Sequence, residues 1–245
     1  MIEFKNVVKR FADRTILKGL NLKVSTGEIL FILGTSGTGK SVLLKTLVGL
    51  LRPDEGEVWI EGQETSRITE IEYLEIRKFC GMVFQQPALF DSLTIFDNIA
   101  FGLRKLEKLP ELQVRERVAE ALQAVHLQDV ERRFPQEISY GMQKRASLAR
   151  TLALKPRILL FDEPTTGLDP VTTTAVNELI EELSRKFKTT SLVVSHDMNC
   201  ALQIADRIIV LDQGHILAQG TPADLRRSDI PLVRDFLSEV ELETH

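Results

Sequence analysis

The octet Gly34-Thr35-Ser36-Gly37-Thr38-Gly39-Lys40-Ser41 directly follows the apolar run Glu28-Ile29-Leu30-Phe31-Ile32-Leu33. Three glycines, a lysine and a hydroxyl at this spacing are the parts of a phosphate cradle. The glycines let backbone N–H groups turn inward around phosphate oxygens. Lys40 supplies a point charge for the outer phosphates, and the Ser41 hydroxyl can ligand Mg²⁺. A helix starting near Lys40 aims its positive dipole end at the same anion. The octet therefore predicts a grip on a nucleoside triphosphate. A plain Gly-rich surface loop would account for neither the strand before it nor the helix after it.

Such a grip needs a metal partner and a water activator. Ile158-Leu159-Leu160-Phe161-Asp162-Glu163 offers both: four apolar residues of a buried strand end in two adjacent carboxylates. In phosphate-loop enzymes the strand-end aspartate helps to hold Mg²⁺. That gives Asp162 to the metal and leaves Glu163 to polarise a water for attack on the γ-phosphate. An acidic pair after a strand can be a simple cap, but Lys40 and Ser41 upstream favour the chemistry.

The elements that must position these groups follow from periodicity. Alternation predicts strands over 2–8 and 16–24 around a polar turn at Ala12-Asp13-Arg14, and buried strands over 28–33, 157–161, 191–194 and 207–211. Shorter strands are expected at 57–61, 82–85 and 216–218, the last after a hairpin turn at Asp212-Gln213-Gly214-His215. Helices are expected at 40–50 and after Pro170, where Val171, Ala175, Val176, Leu179, Ile180, Leu183 and Phe187 form an apolar stripe. Short helices follow near 222–227 and 231–240. From Ile95 to Leu154 the pattern is helical, with Val114, Val118, Ala121, Leu122 and Val125 at helical spacing. The fold class is therefore α/β: a largely parallel sheet, a separate antiparallel β layer near the N-terminus and an inserted helical block.

The 245 residues are 43% hydrophobic and 27% charged, as in an ordinary globular protein. A net charge of −4 gives no bulk electrostatic case for nucleic acid. No run of about 20 apolar residues is present, and Met1-Ile2-Glu3-Phe4-Lys5 lacks an apolar signal region, so the cytoplasm is the expected compartment. Cys80 and Cys200 lie far apart without CxxC spacing, and the four histidines are scattered, which argues against structural zinc.

With these motifs in place, the chain resembles the ATP-binding subunit of an ABC transporter, over nearly its whole length and with the motifs in family order. The octet corresponds to that family's Walker A loop. Phe11 sits where the family places an aromatic that stacks on adenine. Gln85, in Val83-Phe84-Gln85-Gln86-Pro87, matches the glutamine loop between core and helical subdomain, which implies a catalytic role and an Mg²⁺ contact for it, as a γ-phosphate contact is implied for His196. Ile138-Ser139-Tyr140-Gly141-Met142 occupies the signature position, Thr166-Gly167-Leu168-Asp169 the loop that meets the opposite subunit, and Val193-Val194-Ser195-His196-Asp197 the switch histidine. The commonest signature reads Leu-Ser-Gly-Gly-Gln. Ile138, Tyr140 and Met142 depart from it, while Ser139 and Gly141, which the family uses on the γ-phosphate, remain. A tyrosine in place of glycine should sit at negative φ. Ser139 also suits a helix N-cap, a role compatible with the signature one.

The resemblance implies an ABC-type phosphate-loop ATPase domain over 1–245. Residues 1–89 and 156–220 would form the core with its β layer, 90–155 the helical subdomain and 221–245 a helical tail. It implies ATP and Mg²⁺ as cofactors and a head-to-tail homodimer, with each ATP between Lys40 of one copy and Ser139 of the other. It further implies a separate membrane permease, with this chain peripheral on the cytoplasmic side of the inner membrane and no nucleic acid partner. Leu89 and Phe90, beside the glutamine loop, are expected to be exposed and to suit an apolar partner helix, or else to pack the subdomain joint. The segment from Leu89 to Asn98, Met142 in the signature and the tail from Ile230 to Leu237 are similar to ATPases of Mce-linked phospholipid transporters, the maintenance-of-lipid-asymmetry type. That likeness adds an Mce-domain lipid-binding partner and a small cytoplasmic regulatory subunit. An amino-acid or ion importer subunit, or a cell-division type ATPase of the same family, remain the alternatives.

Overall fold

The computed structural model describes residues 1–243. Its first strands, β1 (Ile2–Phe11), β2 (Arg14–Val24), β4 (Glu55–Ile60) and β5 (Gln63–Glu64), form an antiparallel sheet in the order β2-β1-β4-β5. This is the separate β layer expected from the early alternating strands.

The second sheet runs β10 (His215–Gly220), β9 (Arg207–Asp212), β3 (Ile29–Leu33), β8 (Thr190–Val194), β7 (Ile158–Asp162), β6 (Cys80–Val83). All its pairings are parallel except β9 with β10. Continuous apolar runs suit strands covered on both faces, and β3 divides its side chains accordingly. Ile29, Phe31 and Leu33 enter the core shared with the helices, while Leu30 and Ile32 enter the core beneath the β layer. The strict period of two in side-chain direction forces this split, and β7 repeats it, with Leu159 and Phe161 on one side and Ile158 and Leu160 on the other.

On the β-layer side lie α1 (Lys40–Leu47) and α2 (Glu70–Arg77). Helix α2 begins in a capping box, with the Thr69 hydroxyl accepting from the Glu72 N–H and the Glu72 carboxylate accepting from the Thr69 N–H. The opposite side carries α3 (Ile95–Gly102), a π-helical turn over Leu103–Glu107, α4 (Glu111–Ala124) and α5 (Tyr140–Leu152). Also on that side are α6 (Pro170–Phe187), α7 (Met198–Ile204), α8 (Pro222–Arg226) and α9 (Pro231–Glu243).

The structure corrects several expected boundaries. Helix α1 stops at Leu47 rather than residue 50, where Gly49 adopts φ +68°. Strand β6 stops at Val83, two residues short of expectation, so Gln85 lies in the loop beyond it. Helix α2 and strand β5 were not expected at all. Among the described residues no helix is long and apolar enough to cross a membrane. Both cysteines are buried free thiols, and burial pushes Cys80 up to about 12.

Candidate active site

The end of β3 feeds directly into the glycine loop. Gly34 has no room for a side chain: a Cβ there would lie 2.3 Å from the Leu211 carbonyl oxygen and 2.8 Å from Thr38 Oγ1. Gly37 (φ +82°) and Gly39 (φ +106°) adopt left-handed backbone conformations that side chains disfavour. Thr35, Ser36 and Gly37 are exposed, so the turn presents its backbone outward. The loop thus lifts over the sheet at Gly34 and re-enters at Gly39. Gly34→Ala should lower stability by about 1–3 kcal/mol, the usual cost of overpacking, read as a lower urea midpoint. A midpoint equal to the parent's would mean that β9 yields freely.

Helix α1 starts at this loop without a side-chain cap. Helix α4 also starts without one, at Pro110, whereas Thr94 caps α3, Ser139 α5, Asp169 α6 and Asp197 α7. The free N–H groups of α1 are therefore available to an anion, and the helix dipole favours one. Lys40, its first residue, is buried, and its Nζ donates to the carbonyls of Gly34 at 2.7 Å and Thr35 at 3.0 Å. Burial holds its ammonium below the ordinary lysine range, against the pull of Glu163 and Asp162.

Two neighbouring parallel strands bring the remaining groups to Lys40. Asp162 ends β7, and its Oδ1 accepts from the Ser41 hydroxyl at 2.7 Å. Glu163 follows at φ +51°, held by a 2.9 Å bond from its N–H to the Val194 carbonyl of β8. A non-glycine residue in this region is strained, and such strain concentrates at functional positions. The bend swings Glu163 over the loop, with Oε1 3.8 Å from Lys40 Nζ. His196, just beyond β8, places Nδ1 2.7 Å from Glu163 Oε2, and the Thr166 hydroxyl donates to the same oxygen at 3.3 Å.

The electrostatics of this pair are opposed. Burial, the largest single influence on Glu163, works to raise its pKa. The His196 hydrogen bond and charge, with Lys40 and Thr166, outweigh it and hold the carboxyl below the usual range. The hydrogen bond to Glu163 raises His196 above the ordinary imidazole, against partial burial. The raised histidine contributes stability below its unfolded pKa and loses it as pH rises through the folded value. The depressed carboxyl contributes above its unfolded pKa and loses it as pH falls through the folded value. The pair is therefore fully ionic only between Glu163's lowered and His196's raised pKa. An NMR titration should place the His196 midpoint higher in the parent than in Glu163→Gln. Equal midpoints would dissolve the pair as an electrostatic unit.

Lys40, Ser41, Asp162, Glu163 and His196 thus converge. The remaining expected residues are partnered elsewhere. The Phe11 ring is 43% exposed, which removes the core-packing alternative, and Lys9 Nζ lies 5.4 Å from its centroid. Gln85 is exposed, and its backbone carbonyl accepts from Lys144 Nζ at 2.5 Å. Ser139 caps α5 by accepting from the Met142 N–H at 3.3 Å, and Tyr140 has negative φ, as anticipated. Gly141 packs so closely that a Cβ would approach Thr172 Cγ2 to 2.9 Å. Asp169 caps α6, accepting from the Thr172 N–H at 3.0 Å and hydroxyl at 2.6 Å. Leu89 is corrected from exposed to partly buried against the helical core, whereas Phe90 is exposed and stacks at 5.1 Å on Phe101. Sequence reasoning missed Lys144 as a site neighbour, and it placed Thr166 in the loop facing a second copy without foreseeing its bond to Glu163. Thr166 stands three residues after Glu163 and could have been found by that spacing; Lys144 carried no such signal.

Comparison with known proteins agrees with this geometry. The family described as "ABC transporter" matches residues 17–166. A probable ribonucleotide transport ATP-binding protein, mkl, of Mycobacterium leprae is 44% identical over 97% of this chain, which spans 68% of that protein. The intermembrane phospholipid transport system ATP-binding protein MlaF of Haemophilus influenzae is 42% identical over 97% of this chain and 90% of its own length. An Fe(3+) ions import ATP-binding protein, FbpC, of Photobacterium profundum is 38% identical, and the chain spans 68% of it. Among solved structures, the ATP-binding cassette MJ0796, captured as a dimer in a post-hydrolysis state with ADP and Pi, superposes with a TM-score of 0.83 and 33% identity over 91% of this chain and 99% of that one. CbiO1 from Clostridium perfringens, part of the transporter complex cbiONQ, gives 0.85 at 27% identity over 97% of this chain and 98% of that one. An uncapped phosphate loop, a carboxylate pair at a strand end and a histidine one strand away, joined to these matches, make the chain a member of the ABC transporter family and an ABC ATPase.

Proposed function

We propose that this chain binds Mg-ATP, hydrolyses it and powers a membrane permease that moves phospholipid between the inner membrane and the periplasm or outer membrane. The catalytic assignment rests on one observation: Glu163, bent out of the strand at positive φ, is held simultaneously by His196 at 2.7 Å and near Lys40 at 3.8 Å. This supports Glu163 as the carboxylate that acts on water, beside the Asp162 carboxylate at Ser41. The residues at the loop suit the phosphates of ATP, because the uncapped N–H groups that start α1 and the buried Lys40 ammonium are donors for phosphate oxygens.

The Ser41 hydroxyl and Asp162 carboxylate, 2.7 Å apart, are hard oxygen donors suited to Mg²⁺, and Gln85 would complete the set. Bound there, the ion supplies charge neutralisation to the transferring phosphoryl group. The chain's own residues do the rest. Lys40 and the glycine loop bind and orient the phosphates, Glu163 accepts a proton from water, and His196 fixes the carboxylate. Phe11, exposed beside Lys9, offers a ring face for adenine. Ser139, Gly141 and Asp169 lie on helix starts that a second copy would present to the nucleotide in a head-to-tail homodimer. Residues 90–155 would serve as the helical subdomain and 221–243 as the tail, residues 244 and 245 lying outside the described residues.

Phospholipid as cargo draws support from the high coverage of the MlaF relative and from the segment around Leu89–Asn98. The reading includes a permease docked near Phe90 on the cytoplasmic face of the inner membrane, an Mce-domain partner and a small regulatory subunit. The iron-import and ribonucleotide-transport names carried by similar chains favour a second reading, a small-molecule importer. Purification of the tagged chain from detergent-solubilised membranes tests both. Recovery of a multi-spanning permease with an Mce-domain protein and bound phospholipid supports lipid transport. Recovery with a periplasmic solute-binding protein replaces it with import.

A further inference from the structure

Helix α5 begins at the signature and runs past the glutamine loop. Three of its side chains hold that loop. Lys144 Nζ donates to the Gln85 carbonyl at 2.5 Å, and Arg150 Nη1 donates to the Ala88 carbonyl at 2.7 Å. The Tyr140 hydroxyl reaches Gln86 Oε1 at 3.5 Å. From the other side, Asn98 accepts from the Phe90 N–H at 2.7 Å and donates to the carbonyls of Phe90, Leu93 and Thr94. The segment joining core to helical block is thus clamped by its backbone, while the Gln85 side chain stays exposed.

Lys144 is the unusual member. It is only 3% exposed, yet it is a lysine, and a buried ammonium is costly unless partnered. Its partners are the Gln85 carbonyl and the face of the Tyr140 ring, 5.5 Å away. Tyr140 and Lys144 are i, i+4 neighbours on one helical face, so the signature's own tyrosine shields the ammonium. Burial lowers the Lys144 pKa and the Glu163 carboxylate opposes that shift, so this side chain also lies within the field of the catalytic acid. A methionine would fill the same space without the desolvation cost, and packing alone does not account for the charge.

We propose that Lys144 is a positioning residue: its ammonium ties the glutamine-loop backbone to the signature helix, so that Gln85 and Ser139 move as one body. Under the proposed function above, on which this inference rests, Gln85 serves the nucleotide of its own chain and Ser139 the nucleotide of the second copy. A displacement of the segment between Gln85 and Phe90 would then be delivered to the opposite site without passing through the sheet. Arg150 anchors the far end of the same segment, which prevents the loop from pivoting about a single bond.

Two measurements on the full chain test this, with Lys144→Met as the isosteric neutral variant and Lys144→Arg as the charge-retaining one. Hydrogen exchange on the chain without nucleotide reads the tether: the Phe90 amide, which donates to Asn98 Oδ1 at 2.7 Å, should exchange about tenfold faster in Lys144→Met than in the parent, and Lys144→Arg should restore protection. ATP turnover reads its consequence: kcat should fall about tenfold in Lys144→Met with KM within about twofold, and recover in Lys144→Arg. Parental exchange or parental kcat in Lys144→Met overturns the proposal. So does a general loss of stability that Lys144→Arg shares, since that is what a packing role predicts. A parent chain with no ATP turnover would sink the proposed function and leave the exchange result to decide the tether alone.

Discussion

Glu163→Gln should retain ATP binding and lose turnover by about 10²- to 10⁴-fold, the range that general base catalysis supplies. The substitution keeps the shape of the side chain, so the strained φ of +51° and the bond from the residue 163 N–H to the Val194 carbonyl are undisturbed. It removes the proton acceptor. It also removes a negative charge 3.8 Å from Lys40 Nζ, at the place where an incoming phosphate would otherwise meet repulsion. ATP affinity should therefore hold or rise while kcat collapses, which is the signature of an interaction specific to the transition state. Nucleotide titration by fluorescence, beside phosphate-release kinetics, separates the two. A variant that hydrolyses ATP at the parental rate would strip Glu163 of the base role.

Lys40→Met should act on the other quantity. The lysine stem is buried and methionine replaces it with similar volume, so the fold should tolerate the change. What disappears is the ammonium, which donates to the Gly34 and Thr35 carbonyls at 2.7 and 3.0 Å and is the loop's point charge for phosphate. Hydrogen bonds to charged groups are worth about 1.5–3 kcal/mol, so the dissociation constant for ATP should rise roughly 10- to 150-fold. Because Lys40 also helps to hold the Glu163 carboxyl down, the His196 titration should shift in this variant as well. Unchanged ATP affinity in a folded variant would assign phosphate binding to the backbone alone.

The elements that the sequence announced most clearly were those whose pattern is purely local. Strands β3, β7, β8 and β9 each contain an uninterrupted apolar stretch, and α6 shows its stripe after Pro170. Helix α2 escaped because its apolar residues do not form one buried stripe: Tyr73 and Ile76 are inside, whereas Ile71 and Leu74 face solvent. Its capping box at Thr69 and Glu72 was the signal available. The last residues of β6 were misjudged because Phe84 is apolar yet exposed, so composition there reported the loop and not the ladder.

By itself, the sequence determined the chemistry that lies within a few residues of chain: the glycine turns before Lys40, the order Asp162 then Glu163, and the Ser139 hydroxyl cap that starts α5. Tertiary structure alone decided which of these groups meet. The order β10-β9-β3-β8-β7-β6 sets Ser41 against Asp162 across 121 residues and Glu163 against His196 across 33, and the packing of α5 beside β6 sets Lys144 against Gln85 across 59. A period of two tells a strand which faces to bury, but parallel neighbours are joined through crossovers and nothing in the local pattern names the partner. That choice belongs to the packing of the two cores on either side of the sheet, which is why the Lys144 contact surfaced only once the chain was folded.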